Sequence, residues 1–121
     1  MINEIKKYLL PIILLTMYGC SDIVTSEYPT YQNAEEDDLF QRGWLPEIIP
    51  RSATEIVVNN NLDLNESSGS FVLSNDAMLD FKERLKPTEK QEQLLYVSGE
   101  SEWVFDFSDR KIIYYRLRSL N

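Results

Sequence analysis

Gln93-Leu-Leu-Tyr-Val97, Ser98-Gly99-Glu100-Ser101, Glu102-Trp-Val-Phe-Asp-Phe107, Ser108-Asp109-Arg110-Lys111 and Ile112-Ile-Tyr-Tyr-Arg-Leu-Arg118 follow one another without a break. Runs rich in β-branched and aromatic residues, separated by short clusters of turn formers, predict an antiparallel meander. In the middle run Trp103, Phe105 and Phe107 fall on one face. In the last run Ile113, Tyr115 and Leu117 face one way, and Ile112, Tyr114, Arg116 and Arg118 the other. Arg116 and Arg118 are candidate binding residues, with Asp106 as their expected partner across the hairpin.

Working back along the chain, Pro87 ends a predicted helix over residues 77–86, capped by Ser74, Asn75 or Asp76, in which Met78, Phe81 and Leu85 form an apolar stripe. Before it, Glu55-Ile-Val-Val58 and Ser70-Phe-Val-Leu-Ser74 read as two strands. The turn-rich segment between them makes a long hairpin, into which Leu62 and Leu64 can extend one strand. Gly43-Trp44-Leu45-Pro46-Glu47-Ile48-Ile49-Pro50 is apolar but broken twice by proline, so it reads as an ordered loop on the core. Trp44 has a second reading, as an exposed binding residue. Asn33-Ala34 followed by Glu35-Glu36-Asp37-Asp38 opens a short helix whose acids face the positive end of the dipole, with Leu39 and Phe40 turned inward.

The expected fold is therefore α+β: a small antiparallel sheet, made of a hairpin and a C-terminal meander, covered by one or two short helices. Residues 33–121 form the single domain and residues 20–32 a polar tether.

Composition narrows the function. The 121 residues hold 12 Lys and Arg against 20 Asp and Glu, no histidine and one cysteine, for a net charge of −8. Nucleic acid is excluded as a partner on charge, and a basic envelope protein is the partner that charge favours. Without histidine there is no Ser-His-Asp or Cys-His machinery and no histidine metal ligand. Binding rather than catalysis is expected, with no cofactor and no metal. The alternative is an enzyme running on carboxylates, which needs two of them facing each other across a cleft. The stretch Asp63-Leu-Asn65-Glu-Ser67-Ser-Gly69 has the alternating oxygens of a calcium loop, but its glycine comes one place late and Ser74 stands where a bidentate Glu is required. Asn65-Glu66-Ser67 fits a glycosylation sequon, which has meaning only in a chain exposed to that modification.

The N-terminus supplies an address. Lys6 and Lys7 precede an apolar run from Tyr8 to Gly19, too short to span a bilayer and interrupted by Pro11. That order predicts a signal peptide over residues 1–19. Met17-Tyr18-Gly19-Cys20 resembles the lipobox of bacterial lipoproteins, with Met17 where Leu is common and Tyr18 where a small residue is usual. The resemblance implies cleavage between Gly19 and Cys20 and lipidation of Cys20 with palmitate-type acyl chains. It also implies retention in the outer membrane, because Ser21 rather than Asp follows the cysteine, with the domain facing the periplasm. Two or more acyl chains make such attachment durable. A secreted domain with an unmodified Cys20 is the remaining alternative.

Phe40-Gln-Arg-Gly-Trp-Leu-Pro-Glu-Ile-Ile-Pro-Arg-Ser-Ala-Thr-Glu-Ile56, continuing to Asn61-Leu-Asp-Leu-Asn65 and Gly69-Ser-Phe71, resembles a group of small bacterial proteins that share Gly-Trp-Leu-Pro, Pro-x-Ser-Ala-Thr and Leu-Asp-x-Asn segments. The resemblance covers residues 31–71 and implies no activity. It marks Trp44, Pro46, Ser52, Thr54, Asp63 and Asn65 as one structural unit, in which Ser52 or Thr54 and Asp63 or Asn65 would satisfy the backbone of the loop. As an envelope lipoprotein that binds protein, the chain would be an inhibitor, an immunity protein or an assembly subunit.

Overall fold

The computed structural model describes residues 23–119. The expected signal peptide and the Gly19–Cys20 processing site lie outside the described residues. In chain order the elements are β1 (Ile23–Thr30), α1 (Tyr31–Glu36), β2 (Thr54–Asn61), β3 (Glu66–Val72), α2 (Asn75–Glu83), β4 (Lys86–Pro87), β5 (Gln93–Ser98), β6 (Ser101–Asp106) and β7 (Ile112–Ser119). The seven strands form one antiparallel sheet in the order β1-β2-β3-β7-β6-β5-β4. Two meanders, β1-β2-β3 and β4-β5-β6-β7, therefore meet at the β3–β7 ladder. The two short helices match the α+β expectation in kind, but the sheet dominates.

The tether is the main correction. Residues 23–30 are not a polar leash but a full edge strand, paired with β2 from Ile23 opposite Asn61 to Thr30 opposite Thr54. Only Tyr28 of that strand is buried, so its alternation is too weak to read against a run of polar residues. The first helix also starts earlier than expected. Thr30 caps it, accepting the Asn33 N–H at 3.2 Å, so the acids lie in its last turn and beyond rather than in its first.

The β2–β3 hairpin is tighter than expected, because β2 runs on through Asn61 and β3 begins at Glu66. The connection needs only residues 62–65. Asn61 Oδ1 accepts the Leu64 N–H at 3.2 Å, and Asn65 takes the left-handed conformation that such a loop requires, with φ 53°. Leu62 and Leu64 extend no strand; both are exposed. At the other end of β2 the register slips between Thr54 and Val57, a bulge in which Glu55 has φ 47°.

Both helices and residues 37–53 cover one face of the sheet. Its core comprises Ile56, Val58, Phe71, Trp103, Phe105, Ile113 and Tyr115 from the strands, with Phe81, Leu85, Leu39, Leu45 and Ile49 laid over them. Ser74 caps α2 through the Ala77 N–H at 3.2 Å. Phe81 projects from that helix onto Phe105 and Phe71, with ring centroids 5.1 and 5.9 Å apart in edge-to-face contact. Phe71 and Phe105 close the triangle at 6.2 Å. Leu85, the expected last position of the helical stripe, is buried from the turn after α2.

Gly69 sits where the two meanders join, opposite Val58 on one side and Tyr115 on the other. A Cβ there would lie 1.9 Å from the Val57 carbonyl oxygen and 3.0 Å from the Tyr115 ring. The side chain is absent because the backbone of β2 and an aromatic ring occupy its place. Gly69→Ala is expected to destabilise the domain by about 1–3 kcal/mol, as overpacking of a closed site does. Each kcal/mol lowers the melting temperature by roughly 4–8 °C in a domain of this size. Ser70→Ala, on the uncovered face, is the control and should shift stability by less than about 0.5 kcal/mol.

Beside this glycine the core holds polar groups. Ser67 donates to the Trp44 carbonyl oxygen at 3.2 Å and lies beside the Tyr115 hydroxyl, which, like Asn60 Oδ1, is buried with no hydrogen bond of good geometry among the described residues. Burial pushes the Tyr115 phenol far above its ordinary value of 10.0. The folded state thus keeps this proton at pH values where the unfolded chain has released it, so stability falls as pH rises past about 10. Tyr115→Phe should be neutral or stabilising at pH 7, because it removes an orphaned hydroxyl. Chemical denaturation should also show a shallower loss of stability between pH 9 and 11 in that variant, as about the ordinary tyrosine pKa requires.

Candidate functional site

The covered side of the sheet presents an ion-paired, mostly acidic surface. Asp37 accepts from the Tyr28 hydroxyl at 2.6 Å and from Arg42 Nη2 at 3.3 Å. Burial, and then that bond to Asp37, hold the Tyr28 phenol above its ordinary value. A cleft of about 590 Å³ between α1, the proline loop and α2 is lined by Glu35, Glu47 and Asp80 together with Arg51 and Arg84. Arg51 lies 3.5 Å from Glu35 and Arg84 lies 3.1 Å from Asp80, so two of the three carboxylates are engaged by guanidinium groups. That arrangement differs from a pair of carboxyls left free to act on a substrate.

Trp44 belongs to this side. It is half-buried, packs against the core, and its backbone N–H donates to the Leu39 carbonyl at 3.3 Å. Ser67 supplies a side-chain hydrogen bond to the loop, at the Trp44 carbonyl. Gly43, at φ 84°, turns the chain into the loop.

Among the described residues no helix covers the other face of the sheet. Across it run two cross-strand rows that the register defines. One is Thr25, Asn59, Ser68, Arg116, Val104 and Leu95; the next is Glu27, Val57, Ser70, Tyr114, Asp106 and Gln93. Thr25 donates to Asn59 Oδ1 at 2.8 Å. Val104 is buried on this face beside Leu95 and Arg116, whereas Tyr114 remains 48% exposed. Small side chains at Ser68, Gly69 and Ser70 leave a shallow depression of about 310 Å³ between Val57, Asn59, Tyr114 and Arg116.

Arg116 and Arg118 both project from this face, as the alternation of β7 predicts, but their expected partner is wrong. Arg118 stands opposite Glu102 and is hydrogen-bonded to it, and Arg116 stands opposite Val104. Asp106 lies opposite Tyr114, and its Oδ1 accepts from the Ser108 hydroxyl at 2.6 Å and the Ser108 N–H at 2.8 Å. Those bonds hold its carboxyl below the usual carboxylate range. Register decides the pairing: Arg118 meets Glu102 directly, whereas Asp106 is only a diagonal neighbour of Arg116 and is engaged by Ser108. Among the described residues Arg116 makes no ion pair.

The structure thus separates Trp44 from the two arginines, on opposite faces of the sheet. It joins to the arginines a set that sequence reasoning left aside: Asn59, Ser68, Ser70 and Tyr114. The signal for Tyr114 was present in the phase of Ile112, Tyr114, Arg116 and Arg118. The polar residues of the hairpin carried none, because turn formers and strand residues with a solvated face look alike. Among the described residues no group of three or more acidic or metal-binding side chains is placed to hold a metal ion, and no helix is long and apolar enough to cross a membrane. Cys20 and Gly19 lie outside the described residues.

No curated protein and no solved structure matches this chain. Residues 22–72 match the family model of the YbbD head domain, a span that encloses β1, α1, the proline loop, β2 and β3 and leaves out the second meander. The first meander, with the loop that plugs it, is the part of this chain that is similar to a YbbD head domain.

Proposed function

We propose that the chain is an envelope lipoprotein, held in the outer membrane through acyl chains on Cys20, whose domain binds another protein in the periplasm with its uncovered sheet face. The observation that carries this reading is the composition of that face: Tyr114 half-exposed, Arg116 without an ion pair among the described residues, and a shallow floor of serine and asparagine between them. Tyrosine and arginine dominate the energetics of protein interfaces, because each combines a large contact area with directional polar groups. An inhibitor, an immunity protein and an assembly subunit would each use such a surface.

The basic envelope partner favoured by net charge would engage the opposite side. Glu36, Asp38, Glu47, Asp76 and Glu83 are all exposed there. The two versions are separable by mutation.

Tyr114→Ala combined with Arg116→Ala in the full chain should weaken capture of the envelope partner by about tenfold or more, the size of one hot-spot residue, while thermal melting stays within a few degrees of wild type. Glu47→Lys with Glu83→Lys should leave capture unchanged on this reading and abolish it on the basic-partner version. Capture indifferent to both pairs of substitutions would remove protein binding through either face.

Cys20→Ala should accumulate as an uncleaved precursor and fail to float as a mature, lipid-bearing species in a density gradient. A variant that is still cleaved and still membrane-bound sinks the lipid anchor. One that is cleaved and released, like a wild type that is also released, establishes the secreted domain instead.

A further inference from the structure

The sheet has two ends, and they differ in chemistry. At one end lie the start of β1, the β2–β3 turn, the β5–β6 turn and the last residues of β7; the register fixes this, with Ile23 opposite Asn61, Asn61 opposite Glu66 and Ser101 opposite Ser119. Ile23 is 54% exposed, Val24 48%, Leu62 54% and Leu64 62%. Most of the large exposed apolar side chains of the described domain are gathered at this end, on two adjoining segments. Ile23 and Leu64 also line a concavity of about 640 Å³ together with Leu117, Arg116 and Arg118.

Apolar tips next to guanidinium groups have a plain physical match, the boundary between acyl chains and phosphates in a phospholipid leaflet. Leucine and isoleucine leave water for the acyl region, and arginine reaches the phosphate from a stem that lies along the same boundary. Zwitterionic and anionic lipids both offer that phosphate.

The length of chain supplies the occupant. Cys20 precedes Ile23 by three residues, which span at most about 10 Å even when fully extended. A lipidated Cys20 places the leaflet within that distance of Ile23 and of the turn paired beside it. The same end of the sheet cannot then be far from the membrane, whatever the orientation of the rest.

We propose that the end of the sheet formed by Ile23, Val24, Leu62 and Leu64 seats on the leaflet that holds the lipid of Cys20, so that the domain stands on the membrane rather than trailing from it. This rests on the lipid-anchor reading given above. Seated this way, the strands rise from the membrane and the proline loop, α1 and the face around Tyr114 remain open to the periplasm.

The test uses the full-length gene product purified with its lipid and reconstituted into phosphatidylethanolamine and phosphatidylcholine vesicles. The sulfur of Cys20 is consumed by its lipid, so a single new thiol takes an environment-sensitive fluorophore selectively, either at Leu64→Cys in the turn or at Leu79→Cys, an equally exposed position on α2. Lipids with a nitroxide near the headgroup should quench the label at 64 roughly threefold or more than the label at 79, and Ile23→Ser with Leu62→Ser should reduce that difference. Protein that floats with the vesicles but is quenched equally at both positions, or whose quenching ignores the two serine substitutions, overturns the seat and leaves the anchor standing. Protein that does not float overturns the anchor and the seat together.

Discussion

The fold depends on the ladder between β3 and β7. Each meander has local pairings, but neither has a second layer wide enough to bury its aromatic face alone. The ladder from Ser68 opposite Arg116 to Val72 opposite Ile112 makes one sheet of the two. Its closure requires a residue without a side chain at Gly69, where the Val57 carbonyl and the Tyr115 ring converge. It is then held by Phe71 of β3, Phe105 of β6 and Phe81 of α2, three rings in mutual edge-to-face contact. Burying one such ring contributes about 1.5–3 kcal/mol, so the triangle is a large share of what holds a domain of this size. The helix that carries Phe81 comes directly after β3, so the element that joins the meanders also covers the join.

From that one-sided packing follow three surfaces of different character. The covered side is acidic and cross-linked by arginine, from the Asp37–Arg42 and Glu35–Arg51 pairs to Asp80–Arg84. The uncovered face is polar and flat, with Tyr114 and Arg116 above a floor of small side chains. The end of the sheet formed by the start of β1 and the β2–β3 turn carries exposed apolar side chains. On the proposed anchor at Cys20 these three surfaces would not be interchangeable: the end next to Ile23 would be offered to the membrane and the faces along the strands to the periplasm. The likeness of residues 22–72 to a YbbD head domain covers the first meander, which supplies both the apolar end and half of the uncovered face.

Much of this was legible from residues alone. The alternation of Trp103, Phe105 and Phe107 against that of Ile113, Tyr115 and Leu117 identified two strands and their core phase. The capped stripe through Met78 and Phe81 identified α2. What escaped was β1, because an edge strand with a single buried residue leaves almost no periodic trace in Ile23-Val-Thr-Ser-Glu-Tyr-Pro-Thr30. The length of the hairpin escaped as well, since Asn59, Asn60 and Asn61 read as turn formers until Asn60 is seen packed inside the sheet. For the arginines the face was correct and the partner was not. Glu102 and Asp106 share a face of β6, and only the register set by the turn at residues 108–111 decides which of them Arg118 meets.

The sequence by itself determined the antiparallel class, the positions of the strong strands and of α2, and the chemistry excluded by the absence of histidine, because these depend on composition and on periodicity within one segment. Tertiary structure alone decided that the supposed tether is a strand, that Trp44 and the two arginines lie on opposite faces, and that Ile23 and Leu64 meet at one end. Those facts depend on which distant segments pair and in what register. A pairing energy shared between two segments leaves no periodic mark in either one.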